Sequence, residues 1–252
     1  KKDTVLYYAR TKEDGMFLSG IFDDYIRASV SSVPVFSGFM SERKQAMVKE
    51  AFSSEKNLQL NFFGGYDAAE RKILCFFEDS EVSFPIKVIK ADVKGKQKLT
   101  HRDFLGALMS LGIKRDVTGD IITGEDNLIF VKEEMADYII TNLSKAKNSN
   151  LSLSEYEGDN FPDLSEGKDY FETVASLRLD AVISCGINLS REKSKKLIES
   201  GRVCVNSMPV ESVDFSLSEG DVISAKGFGR FTLKEIKGLS KKGRIILNIN
   251  KV

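Results

Sequence analysis

The stretch SLRLDAVISCGINLSREKSKKLIESGRVCVN, residues 176–206, decides how the C-terminal part of the chain is built. Leu179, Val182 and Ile183 recur at i, i+3 and i+4, one face of a helix, and Gly186 predicts where that helix stops. Ser190 suits the N-cap of a second helix, with Glu192 in the first turn where the helix dipole favours negative charge. Ser194, Leu197 and Ile198 form its inward face, Glu192 and Lys196 make an i,i+4 pair, and Gly201 closes it. RVCVNSMPV, 202–210, then alternates as a strand through Val203 and Val205, with a turn at Asn206-Ser207. Five basic residues (Arg191, Lys193, Lys195, Lys196 and Arg202) fall within this short span. An apolar stripe that fixes the helix is expected to leave Arg191, Lys193, Lys195 and Arg202 exposed on a shared surface, with Arg178 beside them. Exposed like charges repel, so folding does not ask for the cluster, whereas an anionic partner does. On spacing alone, an ordinary solvated helix face is the alternative.

Downstream, SLSEGDVISA, GRFTLKEI and GRIILNINKV read as further strands. Lys226 and Arg230 flank Gly227 and Gly229, and with Lys241, Lys242 and Arg244 they extend the basic surface. Glycines there suit close approach to a polyanion, and a hairpin turn accounts for them equally well. Residues 170–252 hold 14 Lys+Arg against 9 Asp+Glu, and residues 1–169 hold 23 against 28, so a formal net charge of zero hides a basic C-terminal part.

Upstream, Glu155 to Asp169, with Gly158, Pro162 and Gly167, reads as a linker or solvated loop. Before it lie a strand (FPIKVIKADV), a helix (THRDFLGALMSLG), two strands (GDIIT and NLIFV), a helix (KEEMADYIITNL) and a strand (NLSLSEYE). This β-α-β-β-α-β order is that of a ferredoxin-like unit. Nearer the N-terminus, residues 11–31 and 41–54 carry helical spacing. Phe17, Leu18, Ile21, Phe22, Tyr25 and Ile26 face inward in the first helix, and Ala46, Met47 and Phe52 in the second. LQLNFFGG and RKILCFF follow as two strands. The expected fold class is α+β in three parts: an N-terminal α+β unit (1–80), a central ferredoxin-like unit (81–160), and a small C-terminal module of two helices and a twisted sheet (170–252).

Composition is that of an ordinary globular protein, 42% apolar and 29% charged. No run of eighteen apolar residues predicts a membrane span, and the opening KKDTVLYYARTKEDG lacks the apolar segment of a secretory leader. Cys75, Cys185 and Cys204 are scattered, without Cys-x-x-Cys spacing or a nearby His, which argues against zinc and disulfides and for a reducing cytoplasm.

The chain resembles two known families. Arg178-Leu179-Asp180, Ser190-Arg191, Leu197-Ile198, Gly201, Val203, Val205-Asn206, Pro209-Val210 and Gly220-Asp221-Val222-Ile223 stand in the order of the RNA-binding module named after ribosomal protein S-four. Ser194 departs from the usual alanine, and Ser207-Met208 from the commoner glycine turn. The resemblance implies RNA contact through Arg178, Ser190, Arg191, Lys193, Lys196, Arg202 and Asn206; the charge cluster adds Lys195, and Lys226 and Arg230 extend the expected footprint. FFGGYDAAERK (62–72), LTHRDFLGALMSLGIKRDVTGDI (99–121) and SAKGFGRFTL followed by SKKGRIILNI also resemble the YlmH family, often encoded beside bacterial cell-division genes. That similarity spans nearly the whole chain. It implies binding of structured rRNA or tRNA on the ribosome or its large subunit, in handling stalled translation. The expected protein is cytoplasmic and monomeric when free, with no cofactor and no membrane partner.

Motifs that suggest an enzyme are incomplete. His101-Arg102-Asp103 echoes a kinase catalytic loop, but Leu108 stands where Mg²⁺ requires Asn, and no Asp-Phe-Gly follows. A capping box explains it better, with Thr100 as N-cap and Asp103 reaching back. His101 is then a first-turn residue or a contact to RNA. With Arg71, Arg102, Lys114 and Arg115 it outlines a second basic surface. Arg178-Leu179-Asp180 echoes pseudouridine synthases but opens the RNA module itself. Gly227-Phe228-Gly229 lies between strands, where no dinucleotide loop belongs. Phenylalanines in RKILCFFED and NLIFV are read as core. Two other readings stay open: an RNA-modifying enzyme with its site in residues 60–160, and a protein-interaction adaptor linked to cell division.

Overall fold

The computed structural model describes residues 2–31, 33–55, 59–76, 82–95, 97–158, 161 and 167–251. The chain divides into two compact units, Lys1–Phe161 and Pro162–Val252. Pro162 in the expected linker, Phe77 in the expected second strand, and the boundary expected near residue 80 lie outside the described residues.

In the first unit α1 (Lys2–Leu6), α2 (Lys12–Val30) and α3 (Glu42–Ala51) precede β1 (Asn61–Phe63) and β2 (Ile73–Cys75). The two strands pair antiparallel with Asn61 opposite Cys75. Leu18, Ile21 and Phe22 of α2 meet Met47 and Val48 of α3 and Leu74 in one core. Ile26, expected inward, is exposed near the far end of α2. Periodicity also missed an inward charge. Asp14 is buried in the first turn of α2, where its amide donates to the Thr11 cap hydroxyl and its carboxylate accepts from Arg43 Nη2 at 2.6 Å.

That pair gives a pH prediction. The hydrogen bond from Arg43 outweighs burial and holds the Asp14 carboxyl below its usual value. A depressed folded-state pKa supplies stability above the unfolded value, near 3.9, and loses it as pH falls through the folded one. Asp14→Asn should therefore be markedly less stable than the parent at pH 7, by roughly 3 kcal/mol for a broken buried pair. The gap between their urea midpoints should close below about pH 4.

The rest of the unit runs β3 (Ile86–Lys94), α4 (His101–Ser110), β4 (Thr118–Ile122), β5 (Leu128–Lys132), α5 (Glu133–Asn142), β6 (Lys145–Ala146) and β7 (Ser149–Glu155). Its sheet has the order β4-β5-β3-β7-β6, with every neighbouring pair antiparallel. Thr100 N–H and its hydroxyl both donate to Asp103 Oδ2, at 2.9 and 2.8 Å, so the capping reading of His101-Arg102-Asp103 holds. One sheet face packs Ile129 and Val131 against Phe104 and Leu108 of α4 and Ile139 of α5. The other packs Leu128 and Phe130 against Tyr66 and Ala69 from the N-terminal part. A strand covered on both faces reads as a continuous apolar run, which is why NLIFV lacks alternation.

The second unit comprises β8 (Lys168–Val174), α6 (Leu179–Gly186), α7 (Arg191–Glu199), β9 (Val203–Val205), β10 (Met208–Pro209), β11 (Val222–Ala225), β12 (Gly229–Leu239) and β13 (Ile245–Lys251). Its six-stranded sheet has the order β10-β9-β11-β12-β13-β8. Val182, Ile183, Leu197 and Ile198 of the two helices share a core with Ile223, Phe231, Leu233, Leu247 and Ile249. One expectation is corrected. β8 starts where a linker end was expected. Six of its seven residues are exposed, so it carries no apolar pattern, and pairing with β13 alone makes it a strand. Gly186 ends α6 as expected, and the positive φ of 54° falls on Asn188. A Cβ on Gly186 would lie 2.7 Å from the Phe231 ring. Gly186→Ala is thus expected to lose about 1–3 kcal/mol by overpacking, in spite of alanine's better helix propensity. A gain in urea midpoint would contradict that contact.

Candidate nucleic-acid interface

Ser190 caps α7 as expected, its hydroxyl accepting from Lys193 N–H at 3.3 Å. Ser194, Leu197 and Ile198 point inward. With about 3.6 residues per turn, this stripe places Glu192, Lys196 and Glu199 at the outward pole and Arg191 at the edge of the buried stripe. The outward pole is therefore not purely cationic: Lys196 Nζ pairs with Glu192 at 2.8 Å, and Glu199 stands beside them. Lys193 and Lys195 are exposed and form no ion pair among the described residues.

Arg191 and Arg178 are not free of carboxylates, contrary to the sequence-based expectation. Asp180, in the first turn of α6, is fully buried. Its Oδ1 accepts from Arg178 Nε at 3.2 Å, and Arg191 Nη2 lies 3.0 Å from its Oδ2. The second contact is ionic without hydrogen-bond alignment, because Oδ2 has no aligned donor. Both arginine side chains are still about half exposed, 43% and 51%. One carboxylate thus draws two guanidiniums together at the surface. The sequence signal was present in the Arg-x-Asp spacing and the helix-start position of Asp180, but spacing cannot show that Arg191 would reach the same acid.

The remaining candidates gather at two turns. Arg202 Nη2 donates to the Lys226 carbonyl at 3.1 Å and Lys226 N–H donates to the Arg202 carbonyl at 2.9 Å. Lys226, Gly227 and Phe228 form the turn between β11 and β12, where Ala225 faces Gly229. Gly227 and Gly229 have φ of 92° and 95°, so the hairpin itself requires them. Lys226 and Phe228 are exposed at its tip, and Arg230 is half-buried at the start of β12. Asn206 and Ser207 both take positive φ in the β9–β10 turn. Asn206 is committed within the fold: its Nδ2 donates to Asp221 Oδ1 at 2.7 Å and its Oδ1 accepts from Val222 N–H at 2.9 Å.

In the first unit the second basic surface is divided. Arg71 is an internal clamp, its Nε donating to the Thr118 carbonyl at 2.9 Å and its Nη2 to those of Phe39 and Arg115 at 3.1 and 2.7 Å. Asp120 completes the clamp, accepting from Tyr66 Oη at 2.9 Å and from the Glu70 and Arg71 amides at 2.7 and 3.1 Å. Burial pushes the Arg71 guanidinium down to about 10, still protonated at neutral pH. Desolvation, reinforced by the Arg115 charge, likewise holds the His101 imidazole below its usual value. Arg115 is half-buried, and Arg102 and Lys114 are exposed. Among the described residues no group of three or more His, Cys, Asp and Glu is placed to hold a metal ion, and no helix is long and apolar enough to cross a membrane.

Comparison with known proteins matches both halves of this arrangement. The family described as "Putative RNA-binding domain in YlmH" matches residues 80–160, and the "S4 domain" matches residues 177–223. The chain is 35% identical over 215 residues to the Ribosome-associated protein quality control protein P2 of Bacillus subtilis (strain 168), covering 82% of each chain. A solved structure, the cell division protein ylmH from Streptococcus pneumoniae, is similar in fold at 18% identity and a TM-score of 0.50, over 59% of this chain and 93% of that one.

Proposed function

The chain belongs to the YlmH family of RNA-binding proteins, and from that membership we propose that it binds structured RNA on the ribosome or its large subunit. We read the binding as non-enzymatic and as serving quality control of stalled translation; the Bacillus subtilis relative is named for ribosome-associated protein quality control. The protein acts as a cytoplasmic monomer. One observation supports the reading: Arg178 and Arg191, each about half exposed, meet at a single buried carboxylate where α6 and α7 begin, and Lys193 and Lys195 are exposed on α7. Planar guanidiniums suit bidentate phosphate contact, and recognition of folded RNA by shape needs no stacking platform. Ser190, Lys196, Arg202, Lys226 and Arg230 are further contact residues in this reading, while Asn206 acts by shaping the turn. Arg102, Lys114 and Arg115 form a subsidiary surface in the first unit.

We read the chain as three parts, 1–80, 81–160 and 170–252, with the middle part ferredoxin-like. The order β7-β3-β5-β4, with α4 and α5 packed on one face, supports that reading, and β6 is an addition at the edge. Crosslinking the protein inside intact ribosomes, read at nucleotide resolution, tests the function. Contacts from residues 178–202 and 226–230 to ribosomal or transfer RNA are expected. Crosslinks confined to ribosomal proteins would overturn it.

A further inference from the structure

We propose that Asp180 is the positioning residue of the interface: a buried acid that holds Arg178 and Arg191 as one two-pronged fork for an RNA phosphate. This deepens the RNA-binding reading and rests on it. Burying a carboxylate is unfavourable unless it is paired, and a well-packed apolar side chain serves stability as well. Asp180 is nonetheless fully buried, and its two oxygens face cations from different elements, Arg178 at the N-cap of α6 and Arg191 at the first residue of α7. The start of α6 favours the acid's charge, whereas the start of α7 disfavours a cation, so helix stability does not account for Arg191.

The acid uses one edge of each guanidinium. Arg178 donates Nε and Arg191 sets Nη2 against the acid as an ion pair, which leaves the other donors of both without protein partners among the described residues. Two converging sets of donors on half-exposed side chains match a phosphate, which binds best through several nitrogen donors at once. Two guanidiniums on one carboxylate keep a positive sum. The nearby Asp214, which feels the Arg178 charge, lies exposed at the surface, where solvent screens it. Without Asp180 the two cations would repel each other and wander.

The sign of one effect tests this. Asp180→Asn removes a negative charge beside the RNA. If the acid only dilutes positive charge, the variant binds ribosomal RNA more tightly, with a steeper salt dependence. If it positions the fork, affinity falls about tenfold in spite of the added charge, and Arg191→Ala then costs far less in that background than in the parent. Equal or tighter binding by a folded Asp180→Asn variant overturns the proposal. Should that variant fail to fold, Arg178→Lys keeps the charge and leaves Asp180 paired with Arg191. The fork requires affinity to fall about as far as in Arg178→Ala, and binding within twofold of the parent overturns it. A parent protein that binds no RNA strikes the proposed function itself, an outcome distinct from either variant result.

Discussion

Arg71→Lys is expected to destabilise the first unit by about 2–4 kcal/mol, a large effect for a charge-conserving change. The guanidinium reaches the Thr118, Phe39 and Arg115 carbonyls with a fixed fork, and an ammonium on a flexible stem cannot span all three. Each buried carbonyl left without a donor costs about 1–3 kcal/mol, partly offset where lysine or water reaches one of them. The Asp120 bonds come from main-chain amides and Tyr66, so they survive in the variant and bound the loss. Urea denaturation followed by circular dichroism reads this directly. A shift under about 0.5 kcal/mol, together with weakened RNA binding, would make Arg71 a contact residue instead of a clamp.

Reversing Lys193 and Lys195 together to Glu is expected to weaken binding to ribosomal RNA by about 10- to 100-fold near physiological salt. Both side chains are exposed and unpaired among the described residues, so the fold should lose no more than about 0.5 kcal/mol. Loss of about two phosphate contacts should also flatten the slope of log affinity against log salt by roughly 1.5 to 2. The reversed variant of Lys196, already tied to Glu192 at the outward pole, should do less. Equal losses from all three lysines would mean that bulk charge, and not the place of each lysine on α7, governs binding.

Much of the architecture was legible because its cause is local. Leu197 and Ile198 specify α7 by period, Ser190 and Thr100 mark helix starts, and the strand–helix order of the middle sheet follows from alternation broken by turns. What escaped depends on contacts between distant residues. β8 is a strand only because β13 pairs with it. Gly186 does end α6, but its close approach to Phe231, 45 residues away, was not readable. Arg71 reads as one more surface cation until Thr118 and Phe39 bring their carbonyls to it. The RNA-contact candidates were legible as a run of basic residues on α7 and the turns that follow it. Their division into committed, paired and free side chains was not readable, because Arg191 lies at the rim of its helix's buried stripe and meets an acid from the preceding helix.

Salt titration of the purified protein's affinity for large-subunit ribosomal RNA tests the central claim most directly. Neutralisation of about five phosphates by the α6–α7 edge and the adjoining turn predicts that log affinity falls against log salt with a slope of roughly −3 to −5. Binding that stays flat across the same range, or no binding at low salt, would contradict it.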